Sequence, residues 1–315
     1  MLISVIFVSY NTAQMSLQAL ADLFASEGDF RLEVIVVDNA SKDNSVEVIK
    51  GAYPNITLIE NKTNVGFGRA NNQAIAIANG DYILLLNTDA FVKPDTLQKT
   101  IEYMNIHPEC GLLGARLLGR NQEQQPSCRY FPTPFNLFAG RLGLNRLIPG
   151  IQLVDDPNWN PDLPVSCDWV PGCYYLLRKK VVQEVGGFDP LYFLYSEEVD
   201  HCFAINKAGW VVVYFADAPV IHIGGESAKS VSEISMVSRQ VPQLQIESEL
   251  LYFRKNHGMM SVLAHLLMSN VADIIQLAKD IILVRGLNKV TYSIKRILSY
   301  WRLFFTTRFA TKSIR

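Results

Sequence analysis

Over the first ninety positions, short continuous apolar runs alternate with stretches whose apolar residues recur at helical spacing. Ile3 to Val8, Glu33 to Val37, Thr57 to Glu60 and Asp81 to Leu86 read as strands, and runs without polar alternation suit strands covered on both faces. Between them Leu17, Leu20, Leu23 and Phe24 mark a helix that Asn11-Thr12 is placed to cap, and Ser41 to Ile49 and Ala70 to Ala78 read as two more helices. This alternation predicts a parallel sheet with crossover helices, in which ligands bind beyond the carboxyl ends of the strands. Three polar clusters fall at those ends: Ser9-Tyr10-Asn11, Asp38-Asn39-Ala40-Ser41 and Asn87-Thr88-Asp89.

From Gly119 to Pro164 prolines, glycines and polar residues dominate, which predicts a loop-rich excursion. Order returns at Asp168-Trp169-Val170-Pro171-Gly172 and a strand from Tyr174 to Leu177. A helix follows from Lys180 to Gly186, another from Ser196 to a capping Gly209, and a strand from Val211 to Phe215. From about Ile246 the chain reads as helical to its end.

Composition adds little to this picture: 49% hydrophobic and 19% charged residues suit a folded globular chain of 315 residues. The net charge of −1 gives no reason to expect nucleic acid as a partner. Its distribution says more. Residues 285–315 hold eight Lys or Arg and no Asp or Glu, leaving 21 basic against 30 acidic residues, a charge of −9, in residues 1–284. An acidic body with a basic tail predicts a tail that meets an anionic surface. Five cysteines, none in a C-x-x-C pair, argue against a disulfide framework or zinc site and suit a reducing compartment. Met1 to Tyr10 lacks a basic n-region and reads as a buried strand rather than a signal peptide. No uncharged apolar run reaches the roughly 18–20 residues that span a bilayer; Gly258 to Ala272 comes nearest, stopping at Asp273.

Several residues have chemical potential. Asp89 follows a buried strand, where an unpaired carboxylate costs stability. A hard divalent cation, Mg²⁺ or Mn²⁺, bridging it to a diphosphate would satisfy it; a turn or helix cap is the plainer alternative. Asp38 can accept from a base N–H or a ribose hydroxyl, or cap the next helix. Asn64 to Asn71 lacks the third glycine of a dinucleotide fingerprint, although Gly66 and Gly68 permit close backbone approach and Arg69 could meet a phosphate. Glu197, Glu198 and Asp200 cluster after the aromatic run Tyr192 to Tyr195. They read either as an acidic helix start or as carboxylates tuned towards a base. Trp169, between Asp168 and Gly172, reads as core or as a platform for a sugar face. His222 taken alone reads as structural. No G-x-S-x-G, Walker A or H-E-x-x-H motif is present.

Taken in order, eight segments resemble the inverting glycosyltransferases of family 2, which have the GT-A fold. They are Val8-Ser9-Tyr10-Asn11; Val36 to Asp43; Asn64-Val65-Gly66-Phe67 with Ala70-Asn71; Leu86-Asn87-Thr88-Asp89; Asp168 to Gly172; Gly186-Gly187-Phe188-Asp189; Tyr195 to Asp200 with Gly209-Trp210; and His222 with Gly224, Gly225 and Ser227. The similarity is strongest to the rhamnosyltransferase-like branch that builds bacterial surface polysaccharides. It implies an α/β GT-A domain over 1–230, with a nucleotide-sugar half (1–110) and an acceptor half (111–230), followed by a C-terminal helical extension (231–315).

The resemblance also implies roles. Asp89, at the last position of a D-x-D-type motif whose first acid is replaced by Asn87, would bind the metal with His222. Ser9, Tyr10, Asn11, Asp38, Asn64, Gly66, Phe67, Arg69, Asn71, Asn87 and Thr88 would hold the nucleotide. Asp168, Trp169, Gly172 and Glu197 would meet the acceptor. Glu198 falls where the family has the aspartate of a Glu-Asp pair, and Glu198 or Asp200 would be the base. The implied donor is a nucleotide sugar, dTDP-rhamnose or a UDP-hexose. The implied acceptor is a saccharide or a polyprenyl-diphosphate-linked one. The apolar and basic tail suits a helix lying on an anionic membrane at the cytoplasmic side, or a dimerisation helix. A nucleotidyltransferase would need a glycine-rich, basic loop after the first strand, and Ser9-Tyr10-Asn11 is not one. A non-catalytic carbohydrate-binding or scaffold protein is the remaining rival.

Overall fold

The computed structural model describes residues 1–155, 159–224, 234–284 and 287–315, with backbone alone for 234–242 and 287. Gly225, Ser227 and Arg285, named above, lie outside the described residues. Two compact units are formed. One comprises Met1–Arg129, Asn158–Pro190 and Glu197–Val237, the other Tyr130–Pro157, Leu191–Ser196 and Ser238–Arg315.

The first unit opens with β1 (Leu2–Ser9), α1 (Ala13–Phe24), β2 (Arg31–Asp38), α2 (Ser45–Ala52), β3 (Thr57–Glu60), α3 (Phe67–Ile75) and β4 (Tyr82–Leu86). The short β5 (Ala90–Phe91), α4 (Thr96–Ile106) and β6 (Cys110–Leu118) follow. After the excursion come β7 (Val165–Ser166), β8 (Tyr174–Arg178), α6 (Lys179–Val185), α7 (Glu197–Lys207) and β9 (Val211–His222). One sheet runs β3-β2-β1-β4-β8-β6-β9-β5, with β7 beside β9. β3, β2, β1 and β4 are parallel, as the alternation predicts. Ser9 pairs with Asp38 and Ile6 with Leu85, so the three polar clusters share one edge of the sheet.

The second half departs from a parallel sheet. β8 is antiparallel to both β4 and β6, and β5 is antiparallel to β9. β5, α4 and β6 occupy residues in which the apolar pattern predicted no element. Gly111 and Gly114 obscure β6, yet packing requires them. A Cβ at Gly114 would lie 2.6 Å from Cβ of Val170, and one at Gly111 2.7 Å from Cβ of Trp210. Side chains on both faces of the central strands are removed from water, Val5, Leu84 and Leu176 on one and Ile6, Leu85 and Tyr175 on the other. Each such Val or Leu contributes roughly 1.5–3 kcal/mol by transfer.

The second unit contains α5 (Pro134–Leu142), inside the stretch expected to be loop, with α8 (Ile234–Ile282) and α9 (Leu287–Thr306). Its signals were local. Thr133 and Asn136 form a reciprocal capping box, Pro134 begins the helix and Gly143 closes it at φ 67°. At Gly258 (φ 79°) the backbone of α8 is not helical, which divides α8 into two segments. Within Gln243–Ile282 an 18-residue window has mean hydropathy 1.4, long and apolar enough to cross a membrane by length and composition, although the stretch contains charges.

Candidate active site at the strand ends

The short β5 decides the geometry around Asp89. Ala90 pairs with His222, and the Ile223 N–H donates to the Asp89 carbonyl at 3.0 Å. Two residues 133 apart in sequence thereby face each other, with His222 Nε2 3.6 Å from Asp89 Oδ1. Both are largely buried. Burial holds the His222 imidazole below its ordinary pKa, against the pull of the Asp89 charge.

Gln125 fixes the tautomer. Its Nε2 donates to the His222 carbonyl at 2.8 Å, which orients the amide, so Oε1 faces Nδ1 of His222 at 2.9 Å. Nδ1 must then carry the proton, and in the neutral ring Nε2 presents a lone pair towards the Asp89 carboxylate. Two acceptors facing each other repel, and a second ring proton or a cation between them relieves the repulsion. A divalent ion fits these donors, with the imidazole oriented by its other nitrogen as metal-bound histidines are. Among the described residues no group of three or more His, Cys, Asp or Glu is arranged to hold a metal, so the remaining positions would fall to substrate oxygens and water. Nothing in the run Gln122 to Gln125 distinguishes Gln125 by sequence; the hydrogen bond of Gln125 N–H to the Leu117 carbonyl sets it beside β9. Gln125→Ala is expected to weaken Mn²⁺ binding about 10- to 100-fold, read by Mn²⁺ electron paramagnetic resonance without any turnover; unchanged binding would remove Gln125 from this role.

At the β2 end Asp38 is 3% exposed. Its Oδ2 accepts from the Ser41 N–H at 2.9 Å, while its buried Oδ1 has no hydrogen-bond partner. A buried acceptor left so costs about 1–3 kcal/mol, which a base N–H or ribose hydroxyl would recover. Asn11 (φ 55°) and Ala40 (φ 68°) adopt left-handed turns that interlock. The Asn11 N–H donates to Ser41 Oγ at 2.9 Å and the Lys42 N–H to Asn11 Oδ1 at 2.6 Å. Tyr10 stands half-buried between them and β1. Thr12 does not cap α1 through its side chain as expected; the Ala13 N–H goes to Asp43 Oδ2 at 3.2 Å. Thr12 instead accepts from Thr88 Oγ1 at 3.0 Å and lies 3.4 Å from Ser9 Oγ. Ser9 and Thr88 thus tie two strand ends together.

Around α3, Asn64 Oδ1 accepts from Asn39 Nδ2 and from the Gly66 N–H, both at 2.9 Å, shaping the turn in which Gly66 takes φ 92°. Asn71 is buried and returns Nδ2 to the Phe67 carbonyl at 3.0 Å. Arg69 commits two N–H groups to the Pro190 carbonyl at 3.0 and 2.7 Å, holding the Gly186–Pro190 turn. Asn72, which the sequence reading did not single out, holds the same turn. Its Nδ2 donates to the Phe188 carbonyl and its Oδ1 accepts the Phe188 N–H, at 2.7 and 2.9 Å. A Cβ at Gly187 would lie 2.3 Å from that Oδ1.

Glu198, in the first turn of α7, receives the Gly172 N–H at 3.3 Å. A Cβ at Gly172 would lie 2.8 Å from Glu198 Oε1 and 3.3 Å from Phe67 Cε1, so a side chain there would displace the carboxylate. Burial raises the Glu198 pKa above the usual carboxylate value, opposed by its own and the Gly172 N–H and by the Arg129 charge. Arg129 also lies 4.7 Å from the Trp169 ring centroid. Trp169 is only 8% exposed, with one face covered, while Asp168 is half-buried and its carbonyl accepts from Asn206 at 3.0 Å. Glu197 and Asp200 are buried. Between the two halves of the site sits Cys173, whose carbonyl accepts the Asn87 N–H at 3.1 Å. Its thiol is pushed well above the ordinary value by burial and then by the charges of both Asp89 and Glu198.

Residues 4–153 match the family model described as Glycosyl transferase family 2. The chain carries a glycosyltransferase family 2 domain. Among its relatives is the N-acetylglucosaminyl-diphospho-decaprenol L-rhamnosyltransferase of Mycobacterium tuberculosis, 29% identical over an alignment that covers 61% of this chain and 66% of the relative. The chain thus spans just under two thirds of that protein's length. Rhamnosyltransferase WbbL of Escherichia coli is 28% identical over 73% of this chain and 86% of its own. Among solved structures, Staphylococcus aureus TarS 1–349 superposes with TM-score 0.51 at 16% identity, covering 100% of this chain and 93% of that one. The mannosyltransferase PcManGT of Pyrobaculum calidifontis, in complex with GDP-Man and Mn²⁺, gives 0.54 at 15%, covering 97% and 86%. At such identities these likenesses speak for the fold of the family 2 domain, which is GT-A. The matched segment contains the edge with Asp38, Asp89 and Gln125; Glu198 and His222 lie beyond it.

Proposed function

We propose that this chain is a metal-dependent inverting glycosyltransferase that moves a sugar, L-rhamnose from dTDP-rhamnose, onto a polyprenyl-diphosphate-linked saccharide in surface polysaccharide synthesis. The observation that carries the reading is the short backbone link between the two carboxylates: the Asn87 N–H, two residues before Asp89, donates to the Cys173 carbonyl at 3.1 Å, and the adjoining Gly172 N–H donates to Glu198 at 3.3 Å. A donor held at one carboxylate is thereby within a sugar's reach of the other. Residues 1–230 would form the catalytic domain and 231–315 an extension working at the cytoplasmic face of the membrane. The relatives' printed names support the sugar and the lipid, and the Mn²⁺ complex of PcManGT supports the metal.

Asp89 and His222 would hold Mg²⁺ or Mn²⁺, which when bound neutralises the departing diphosphate. Asp38 Oδ1 accepts from the base or ribose, and the interlocked turns at Asn11 and Ala40 keep that edge rigid. Glu198 takes the proton of the acceptor hydroxyl as its oxygen attacks the anomeric carbon from the face opposite the leaving group, inverting it. The Gly172 N–H aims the carboxylate. Trp169 and Asp168 line the acceptor side, and the proposed location rests in part on five buried cysteines that form no disulfide.

The test is nucleoside diphosphate release with dTDP-rhamnose, UDP-hexoses and GDP-mannose, each with a GlcNAc-diphosphate-prenol acceptor and a Mn²⁺ titration. Release is expected with dTDP-rhamnose at least 10-fold above the others, one tenfold step being about 1.4 kcal/mol of discrimination. Release from a UDP-hexose instead would reassign the donor, and no release from any would leave a binding or scaffold protein.

A further inference from the structure

The second segment of α8 is wholly apolar on its exposed face and mixed on its buried one, where Val262, Leu266 and Ala272 lie among polar side chains. Between residues 261 and 278 the exposed positions are Leu263, Leu267, Val271, Ile274 and Ala278, every one apolar. Buried in the same stretch are four polar side chains, His265, Ser269, Asn270 and Asp273. An ordinary surface helix keeps its polar residues on the exposed face. The spacings of 4, 4, 3 and 4 keep the exposed set on one stripe.

α9 also carries an exposed apolar stripe. Ile294, Leu298, Trp301 and Phe305 are exposed at spacings of 4, 3 and 4, with Lys295 and Arg302 exposed beside them, while Ser293 and Tyr300 are buried together with Leu303 and Phe304. The two helices pack antiparallel: Arg296 Nε lies 3.6 Å from Asp273 Oδ2, and the His265 and Tyr300 rings are 5.7 Å apart. Arg141 of α5 reaches the same cluster, with Nη1 3.9 Å from Asp273 Oδ2 and a hydrogen bond to the Tyr300 hydroxyl. Polar groups thus hold the pair to its own unit, and the apolar stripes face outward.

We propose that the outward face of α8 and α9 is a docking surface for an anionic lipid bilayer, seated in the plane of the interface rather than across it. Charge selects the occupant. From Ile281 to the end the chain has no Asp or Glu, and Lys289, Lys295, Arg302 and Arg308 are exposed. Lys295 and Arg302 each follow a stripe residue by one position, which sets them at the edge of the stripe where their stems can lie along the hydrocarbon and their charges reach headgroups. A second copy of this chain would bring the same basic surface against itself, because a two-fold interface juxtaposes like patches. Spanning is excluded by the inner face: a helix surrounded by lipid has no place for Asp273 and His265, which face protein here.

The surface deepens the lipid-linked-acceptor reading above and explains how such an acceptor is met, but it is tested with no donor or acceptor present. Its failure would therefore leave the transfer reaction untouched, and the converse also holds. The full chain is floated with phosphatidylcholine vesicles with and without phosphatidylglycerol. Binding is expected to the anionic vesicles and to weaken with salt. Ile274→Glu with Leu298→Glu, both at exposed positions, should lower binding roughly 100-fold. Lys295→Gln with Arg302→Gln should lower it about 30-fold for anionic vesicles alone. Unchanged circular dichroism and Tm in both double variants establish that the fold is retained. The proposal is overturned by a wild-type chain that ignores anionic vesicles. It is equally overturned by retained binding in Ile274→Glu/Leu298→Glu, or by a dimer that this variant converts to monomer while vesicles go unbound.

Discussion

Glu198→Gln should lower kcat by about 10³-fold, within the 10²–10⁴ that a positioned general base contributes, with donor KM nearly unchanged. Gln keeps the length of the side chain and an acceptor oxygen for the Gly172 N–H but cannot take a proton. A fall in donor affinity with intact kcat would instead give Glu198 a binding role and move the base to Asp200. The wild-type pH profile supplies an independent check. Burial raises the Glu198 pKa, and the base works only as the carboxylate, so kcat/KM should fall as pH drops through a value above the ordinary 4.5. Stability runs the other way. Because the folded pKa exceeds the unfolded one, the unfolded state releases this proton first, and ionisation favours unfolding as pH rises through the two values. Glu198→Gln should therefore melt at or above the wild-type temperature at neutral pH. A lower Tm would show the charge to be structural.

Asp89→Asn is the second large effect. It preserves shape while removing the negative charge that faces His222 Nε2 at 3.6 Å. Loss of metal-derived charge stabilisation is worth several kcal/mol, so transfer should fall about 10³-fold or more. Mn²⁺ binding, followed by electron paramagnetic resonance, should weaken by more than the roughly 10- to 100-fold expected at Gln125, since Asp89 would touch the ion and Gln125 acts through His222. The fold should survive, because a buried carboxylate next to an imidazole lone pair is a cost without the cation. Wild-type-like transfer in Asp89→Asn would overturn the metal assignment; a large drop in Tm would make Asp89 a structural residue.

The rest of the site falls into groups by how each residue is held. Asp38 retains an unused buried oxygen and so has capacity for a ligand. Ser9, Thr88 and Asn71 spend polar atoms on one another or on the backbone, and Arg69 spends two N–H groups on Pro190. Their proposed contribution to nucleotide binding is thus to set the shape of the edge, with direct contact falling to Asp38 and the turn backbones.

Much of the first half was legible from the order of residues alone. β1 to β4 show themselves because strands covered on both faces must be apolar throughout, and crossover connections leave little choice of direction. That edge chemistry collects at the carboxyl ends followed from the same rule, and Asp38 and Asp89 stood out as carboxylates where no core needs one. β6 and α5 were hidden for local reasons, glycines demanded by Val170 and Trp210 in the one and a polar, proline-rich context in the other. What the tertiary structure alone decided is the pairing of distant groups. Asp89 meets His222 through a two-residue strand too short to leave a pattern, and Gln125 is singled out from neighbouring glutamines only by a carbonyl 97 residues away. The outward stripes of α8 and α9 belong to the same class. Periodicity gives each helix an apolar face, but whether that face lies inward or outward depends on which side the Asp273, Arg296 and Arg141 cluster draws into the protein. Local spacing determines secondary structure because backbone periods are local; electrostatic and hydrogen-bond partners are chosen in three dimensions, by whatever the fold brings within about 3–4 Å.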